Sequence, residues 1–175
     1  MSNMSVLQDI YTLFPVFMAD MVERLTPLGL TIDQYPLDHV CFRVFTLPEF
    51  EAYRDHLTSL SVLYTTKFFH DRYFHTFVLK NPLTYNSIAT PYLEFSQPGG
   101  SDAYSTGFQH LEWHTNTPLQ SLSSRPGELQ KLIFTGKYDN ETYLKWPDKI
   151  CLKVTPTPVI TKSLLENDSK INLVG

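Results

Sequence analysis

Apolar residues recur at helical spacing near the start of the chain and at strand spacing through most of the rest. Residues 5–26 place apolar side chains three and four positions apart, which predicts an amphipathic helix or helix pair, kinked or broken at Pro15. A second helical stripe follows Thr46, and Glu49 three positions later completes the pattern of a capping box. Both stripes are expected to cover one face of a sheet.

Alternation of apolar and polar residues predicts the strands of that sheet. HDR (70–72) is typical of a hairpin turn and NPLTYNS (81–87) of a loop, while a weaker helix that contains Pro126-Gly127 is predicted over 117–134. The predicted strands are DHVCFRVFT (38–46), VLYTTKFFH (62–70), RYFHTFVLK (72–80), TPYLEFSQ (90–97), FQHLEWHT (108–115), TYLKWP (142–147) and KICLKVTPTP (149–158).

The pattern restarts after QPGGSDAYSTG (97–107), which carries the strongest linker signal in the chain. HLEWHTNTPLQSL repeats the order of HVCFRVFTLPEF: a histidine opens a strand, and a threonine and a proline then precede a helix. His39 and His110 occupy equivalent positions in the two copies. A repeat on this scale predicts two units of βαβββ type whose sheets stack.

The predicted fold is therefore α+β, with two βαβββ modules and an N-terminal helical extension. At 175 residues the chain is long enough for one domain with a sizeable core. Within it we expect N-terminal helices at 1–28, a first module at 36–98, a second and shortened module at 105–158, and a tail at 159–175. The segment ITKSLLEN in the tail has the composition of a helix.

Charge and composition limit the kinds of partner. The formal net charge is −4 and the Lys and Arg residues form no cluster, so a nucleic-acid partner is not expected. No apolar run approaches the ~20 residues of a membrane helix, and MSNMSVLQDIYTLF lacks the basic and apolar regions of a secretory signal. We therefore expect no membrane partner and a cytoplasmic location, with Cys41 and Cys151 as buried free thiols.

Four strands carry polar residues on one face and apolar residues on the other. With the apolar faces packed on helices, the polar faces would line a shared concave surface. Two histidines and one carboxylate from separate strands are ligands enough for Zn, Fe, Mn or Ni with open positions. The alternative is a solvated sheet face, which antiparallel sheets often have. The four polar sets are His39/Cys41/Arg43, Tyr92/Glu94/Ser96, His110/Glu112/His114 and Cys151/Lys153/Thr155.

DHVCFRV, PYLEFSQPGG and GFQHLEW, in this order and spacing, resemble the YecM-like proteins of the vicinal oxygen chelate superfamily. That superfamily also contains glyoxalase I, extradiol dioxygenases and fosfomycin-resistance enzymes, and the similarity covers roughly residues 5–160. The resemblance implies that each module forms a curved half-barrel of four strands around a cleft. It also implies a divalent metal bound by the first and last strands of each module.

The ligands that the resemblance implies are His39, Glu94 and His110, with a fourth at Thr155 or a neighbour. Thr155 departs from the Glu or His that is common at the fourth position. The resemblance therefore implies either a three-ligand site or degraded metal binding, and His114 or Glu112 could compensate.

Other polar residues of the implied cleft have candidate roles in chemistry. Glu112 is a candidate base, or a hydrogen-bond partner of a ligand histidine. Arg43 suits a substrate carboxylate, and the alternative is an ion pair with Glu94 or Glu112 that would neutralise the carboxylate. Further candidate substrate contacts are Tyr92, His114 and Lys153.

Three functions remain open at this point. The first is a metal-dependent enzyme, a lyase, isomerase or dioxygenase, in which the metal acts as a Lewis acid on a small oxygenated molecule. The second is a metal-free small-molecule binding protein of the same fold, as bleomycin-resistance proteins in the superfamily are. The third is a structural or interaction protein with a wet sheet face. Homodimer formation is a further possibility.

Overall fold

The computed structural model describes residues 8–69, 71–99, 104–118, 121–135, 142–158 and 170–174. Its helices are α1 (Ile10–Leu25), α2 (Leu47–Leu60) and α3 (Pro126–Gln130), and a short 3-10 helix covers Thr26–Leu28. Its strands are β1 (Leu37–Arg43), β2 (Ser61–Phe69), β3 (Arg72–Tyr85), β4 (Ile88–Ser96), β5 (Gly107–His114), β6 (Ile133–Thr135), β7 (Thr142–Lys145), β8 (Cys151–Thr155) and β9 (Lys170–Leu173).

These strands form one sheet in the order β6-β7-β8-β5-β1-β4-β3-β2-β9. At its centre β1 pairs with β5 in antiparallel orientation, and each of the two pairs in parallel with the last strand of its own module, β4 or β8. From the centre outward the first module runs β1-β4-β3-β2 and the second β5-β8-β7-β6. The same βαβββ arrangement thus occurs twice. The predicted fold of paired modules, with a curved and unclosed mixed sheet and an N-terminal helix, is confirmed.

Helices α1 and α2 cover the apolar face of this sheet. Phe14 and Phe17 of α1 pack on Phe108 of β5, with ring centroids 5.6 and 5.5 Å apart. From α2, Phe50 stacks on Phe95 of β4 at 5.0 Å. Aromatic pairs of this kind contribute about 1 kcal/mol beyond the area they bury. The helices therefore occupy one face and leave the polar face of the central strands to form the site.

The structure tests two predictions about the helices, the capping box at the start of α2 and the effect of Pro15 on α1. At the start of α2 the Thr46 side chain accepts from the Glu49 N–H at 3.3 Å, and Glu49 accepts from the Thr46 N–H at 2.9 Å, so the capping box is confirmed. At Pro15, α1 continues as one helix, so the single helix is confirmed and the alternative of a helix pair broken there is wrong. Phe14 and Phe17 on either side are buried, and this packing outweighs the one backbone hydrogen bond that proline removes.

Several predicted loops and helices differ in the structure. The loop expected at 81–87 is mostly strand, because β3 continues to Tyr85 and a register shift between Val78 and Leu83 accommodates the intervening proline. The helix expected over 117–134 is reduced to α3 in the described residues, and 133–135 form β6. The end of the predicted tail contains β9, which pairs with β2 at the sheet edge.

Some predictions fall on residues outside the described part of the chain. These are the helical composition of 160–167, positions 119–120 of the weaker helix, residue 70 of the hairpin turn and residues 100–103 of the linker. Among the described residues, no helix is both long and apolar enough to span a membrane.

Candidate functional site

Two β-bulges place the residue before each central histidine out of register. In the β1–β5 ladder, Leu37 pairs with Trp113 and His39 with Glu112, so Asp38 is the bulged residue of β1. Further along, Cys41 pairs with His110 and Phe42 with Phe108, so Gln109 is the bulged residue of β5. A bulged residue is released from strict alternation. Asp38 and Gln109 can therefore turn their side chains towards the histidine that follows each of them.

Each bulged residue binds the Nδ1 atom of its histidine. Asp38 Oδ2 lies 2.7 Å from His39 Nδ1, and because a carboxylate only accepts, Nδ1 carries the proton. The amide of Gln109 donates to the carbonyl of Lys149 at 2.7 Å, which directs its oxygen to Nδ1 of His110. Both histidines therefore present Nε2 as a free lone pair. In metal sites the ligand histidine commonly has such an acceptor on its other nitrogen.

The two Nε2 atoms face Glu94 across the centre of the sheet. Ligand atoms of His39, Glu94 and His110 all lie within 4.8 Å of one another, and His39 Nε2 is 3.9 Å from Glu94 Oε2. Both Nε2 atoms are buried and have no hydrogen-bond partner among the described residues. Buried polar atoms are nearly always paired, so these two nitrogens are available to bind a ligand. The two imidazoles and the carboxylate thus fit a divalent metal.

The charges around His39 also favour a cation in the cleft. Burial of His39 opposes protonation, but Glu112, Asp38 and Glu94 outweigh it and raise the pKa of this imidazole. For His110 the balance is reversed: burial and then the Lys153 ammonium bring its pKa well below the ordinary value. Three carboxylates therefore draw positive charge to His39, and a metal ion is one way to supply it.

Glu94 is shared between this metal-ligand set and Arg43. Arg43 Nη2 donates to Glu94 Oε1 at 3.1 Å, and the side chains are 11% and 15% exposed. Although burial opposes ionisation of Glu94, Arg43 foremost and then the histidines and Lys153 lower its pKa. The ion pair between Arg43 and Glu94, one of the alternatives considered for Arg43, is thus present. Arg43 contacts Oε1 of Glu94, and Oε2 lies on the side of His39.

Glu112 lies fully buried on the other side of His39. Thr155 Oγ1 donates to Glu112 Oε1 at 2.9 Å, and Lys153 Nζ is 3.1 Å from Oε2, without the alignment of a hydrogen bond. His39 Nε2 lies 3.7 Å from the same Oε2. Asp38, His39 and Glu112 form a second group whose ligand atoms are close enough for a metal. Glu112 therefore adjoins the ligand set and has a lysine as its counter-ion.

The sheet register identifies which residue corresponds to Glu94 in the second module. Val40 pairs with Leu93, and the equivalent Leu111 pairs with Leu152. The next residues along are Glu94 in the first module and Lys153 in the second. The expected fourth ligand position therefore holds Lys153. Thr155 lies two residues further on, with its hydroxyl directed to Glu112. The described site accordingly offers three ligands rather than four.

Strand alternation places two further candidates, Tyr92 and His114, on the same face as Glu94 and His110. Tyr92 precedes Glu94 by two residues and is half-buried, and its recorded hydrogen bond is that of its backbone N–H to Thr90. His114 is half-buried, and its Nδ1 is buried without a hydrogen-bond partner among the described residues. His75 packs under Phe50 on the opposite face, as a core histidine rather than a cleft residue.

Cys41 and Cys151 are free and buried, as predicted. They pair with His110 from its two sides, because Cys41 is its partner in β1 and Cys151 its partner in β8. Burial raises the pKa of Cys151 to about 11 and that of Cys41 well above its ordinary value. Reactive cysteines are thiolates at neutral pH, so these two thiols have the properties of packing groups.

Sequence reasoning identified the two histidines and Glu94 but not Asp38 and Gln109. The available signal was the pair of dipeptides Asp38-His39 and Gln109-His110, in which an acceptor side chain directly precedes each histidine. Strict strand alternation places neighbours on opposite faces and therefore argues against their contact. Only the bulges bring them together.

Comparisons with known proteins agree with this fold. The chain is similar to a solved structure titled "Structural Genomics, Protein EC4020", with a TM-score of 0.66 and 17% sequence identity over 91% of this chain and 97% of that one. Identity this low supports the fold alone. No curated protein matches the chain. The family model described as YecM protein matches residues 6–168, which is most of the chain. The chain therefore belongs to the YecM protein family.

Proposed function

We propose that this protein binds a divalent metal in the cleft through His39, Glu94 and His110 and acts on a small oxygenated molecule, as enzymes of the vicinal oxygen chelate type do. The observation that carries the proposal is the pair of buried Nε2 atoms without partners, each on a histidine whose Nδ1 is held by an acceptor. The paired-module fold supports the same placement, because the ligands come from the two central strands and β4.

The chain itself would supply orientation and charge. A metal bound here would act as a Lewis acid on substrate oxygens. Asp38 and Gln109 hold the two imidazoles in the tautomer that leaves Nε2 free. Glu112, 3.7 Å from His39 Nε2, is placed to hold a proton beside the site, and Lys153 balances its charge when it is ionised. Lyase, isomerase and dioxygenase reactions all fit this arrangement.

Metal content is the decisive measurement. We expect near-stoichiometric Zn, Fe, Mn or Ni by mass spectrometry in protein purified without an affinity tag or chelator. His39→Ala and His110→Ala should lose it, because each removes one of three ligands. His56→Ala is the matched control, since His56 lies on α2 outside the site. Wild-type protein without metal, and with no thermal stabilisation by any of the four ions, would contradict the proposal.

A metal-free small-molecule binding protein is the second candidate function. The Arg43–Glu94 ion pair favours it, because Arg43 already neutralises the carboxylate that would bind the metal. Lys153 at the fourth ligand position favours it too, since an ammonium group repels a cation. If the protein is a metal-free binder, adding Zn should leave its affinity for the small-molecule ligand unchanged.

A further inference from the structure

We propose that Arg43, Arg72 and Ser96 form an oxyanion site beside the metal ligands, which takes the carboxylate of a small organic monoanion. Because it names the substrate class of the proposed enzyme, this inference rests on the proposed function. Binding of the anion itself requires only the two guanidinium groups and the hydroxyl. Arg72 and Ser96 have no part in the metal-ligand set.

The register of three strands brings these residues together on the cleft face. Ser96 pairs with Phe74 of β3 on one side. On the other side, the preceding residue Phe95 pairs with Phe42 of β1, so Ser96 lies beside Arg43. Arg72 precedes Phe74 by two residues and therefore shares its face. Arg43 and Arg72 thus approach Ser96 from two different strands.

Both guanidinium groups make cation–π contacts with the ring of Phe74. The Cζ atoms of Arg43 and Arg72 lie 5.6 and 5.2 Å from the centroid of the Phe74 ring. Cation–π contacts at these distances are favourable, but two cations held near each other repel. An anion between them would remove this repulsion.

All three side chains have polar atoms that are buried and unused. Among the described residues, Arg43 Nε and Nη1, Arg72 Nε and Ser96 Oγ have no hydrogen-bond partner. Ser96 is only 1% exposed. Leaving several buried donors unpaired in one place is costly, and such groups are rare in folded proteins. A cluster of such donors indicates an acceptor that the protein binds.

The charge of the cluster selects a monoanion. Glu94 pairs with Arg43 and cancels one of the two positive charges. Within the described part of the chain, no carboxylate lies in ion-pair distance of Arg72. One positive charge remains, which suits a single carboxylate better than a phosphate dianion. Guanidinium N–H groups and a hydroxyl also match the two acceptor oxygens of a carboxylate.

The carboxylate would lie next to the metal ligands, because Arg43 contacts Glu94 directly at 3.1 Å. Glu94 is also a member of the metal-ligand set. A substrate held by its carboxylate would therefore place its neighbouring oxygens towards His39 and His110. Hydroxy acids and keto acids have this arrangement of oxygens.

Lactate and its uncharged analogue lactamide test the site directly. The full-length protein is labelled with ¹⁵N-arginine, and the Nε–H signal of Arg72 is identified as the one absent from the Arg72→Gln spectrum. We expect lactate to shift this signal and lactamide at equal concentration to leave it unchanged. Arg72→Gln should weaken lactate binding about tenfold, the usual effect of losing a hydrogen bond between charged groups. Arg54→Gln, on α2, should bind as wild type does.

A second variant, Ser96→Ala, distinguishes loss of the binding site from loss of the fold. Ser96→Ala removes a buried hydroxyl without a partner, so it should keep the wild-type melting temperature and still weaken lactate binding severalfold. Equal binding of lactate and lactamide would overturn the inference. So would equal lactate binding by wild type, Arg72→Gln and Ser96→Ala, or displacement of lactate by an equal concentration of chloride.

The titration is repeated on His110→Ala and on wild type with and without Zn, which separates this inference from the proposed function. Lactate binding by all three, with no metal taken up by wild type, would contradict the metal proposal and support the oxyanion site. Metal binding without lactate binding would support the metal proposal and contradict the oxyanion site.

Discussion

Asp38 and Gln109 determine which nitrogen each central histidine offers to the cleft. Each holds Nδ1 of the next residue, so that Nε2 remains available as the candidate ligand atom. The acceptors differ in strength: Asp38 is a carboxylate and Gln109 a neutral amide. A carboxylate on the imidazole N–H raises the basicity of the other nitrogen. His39 is therefore expected to be the stronger of the two ligands.

Removing the carboxylate from Asp38 should weaken metal binding without removing a ligand. We expect Asp38→Ala to lower the affinity for Zn about 10- to 100-fold, the usual effect of losing such a partner. Asp38→Asn keeps an acceptor oxygen and should retain more of the affinity. Competition with a chromophoric chelator measures both. Asp33→Ala, at an exposed position, is the control. Unchanged affinity in Asp38→Ala would show that the contact has no part in metal binding.

At the scale of elements, the packing of α2 on the sheet depends on a neutral histidine. His75 of β3 stacks against Phe50 of α2 with ring centroids 5.6 Å apart, and Thr66 Oγ1 lies 3.0 Å from its Nδ1. Burial, with a smaller effect from Arg54, lowers the pKa of His75 from 6.5 to about 4. The charged form is therefore unfavourable between the helix and the sheet.

This pKa predicts a loss of stability in mild acid. Between pH 6.5 and about pH 4 the unfolded chain binds a proton that folded His75 does not, so the folded state loses stability as the pH falls. The loss from this group should be about 2 kcal/mol between pH 7 and pH 5, and it should stop growing below about pH 4.

His75→Phe tests the origin of that loss. Phenylalanine keeps the stacking on Phe50 and has no proton to bind, so the variant should lose about 2 kcal/mol less than wild type between pH 7 and pH 5. Urea unfolding at the two pH values measures the difference. His56→Gln, on α2, should retain the wild-type loss. Equal losses in wild type and His75→Phe would mean that other groups cause the acid sensitivity.

At the scale of the whole molecule, the two modules repeat each other about the β1–β5 pair. The repeat aligns the two histidines and also aligns Glu94 with Lys153. The site therefore has three candidate metal ligands, and a lysine at the position equivalent to one of them. Lys153 Nζ lies 3.1 Å from Glu112 Oε2, so the second module has an ion pair where the first has a candidate metal ligand.

Restoring the symmetry should strengthen metal binding. Lys153→Glu adds a carboxylate and removes a positive charge from the cleft, so we expect the Zn affinity to rise at least about tenfold, which corresponds to about 1.4 kcal/mol. Lys153→Gln separates the two effects, since it removes the charge without adding a carboxylate. Calorimetric titration measures all three proteins. A Zn affinity in Lys153→Glu no higher than in Lys153→Gln would argue that position 153 does not face the metal.

The sequence by itself determined the elements and the polar faces. Alternation placed His110, Glu112 and His114 on one face with Leu111 and Trp113 on the other, and the structure buries both apolar residues fully. Local patterns suffice here because strand periodicity and helix capping depend on neighbours in the chain. The same reasoning left a single helix and a broken pair open at Pro15, and it failed at 81–87, where a register shift outweighs the local preference for a loop.

Only the tertiary structure decided which side chains meet. The contacts of Asp38 with His39 and Gln109 with His110 depend on two bulges, and a bulge is a property of a pair of strands rather than of one sequence segment. Likewise, the match of Glu94 with Lys153, and the meeting of Arg43, Arg72 and Ser96, follow from the register of parallel and antiparallel neighbours. Register depends on contacts between residues far apart in the chain, so no local pattern specifies it.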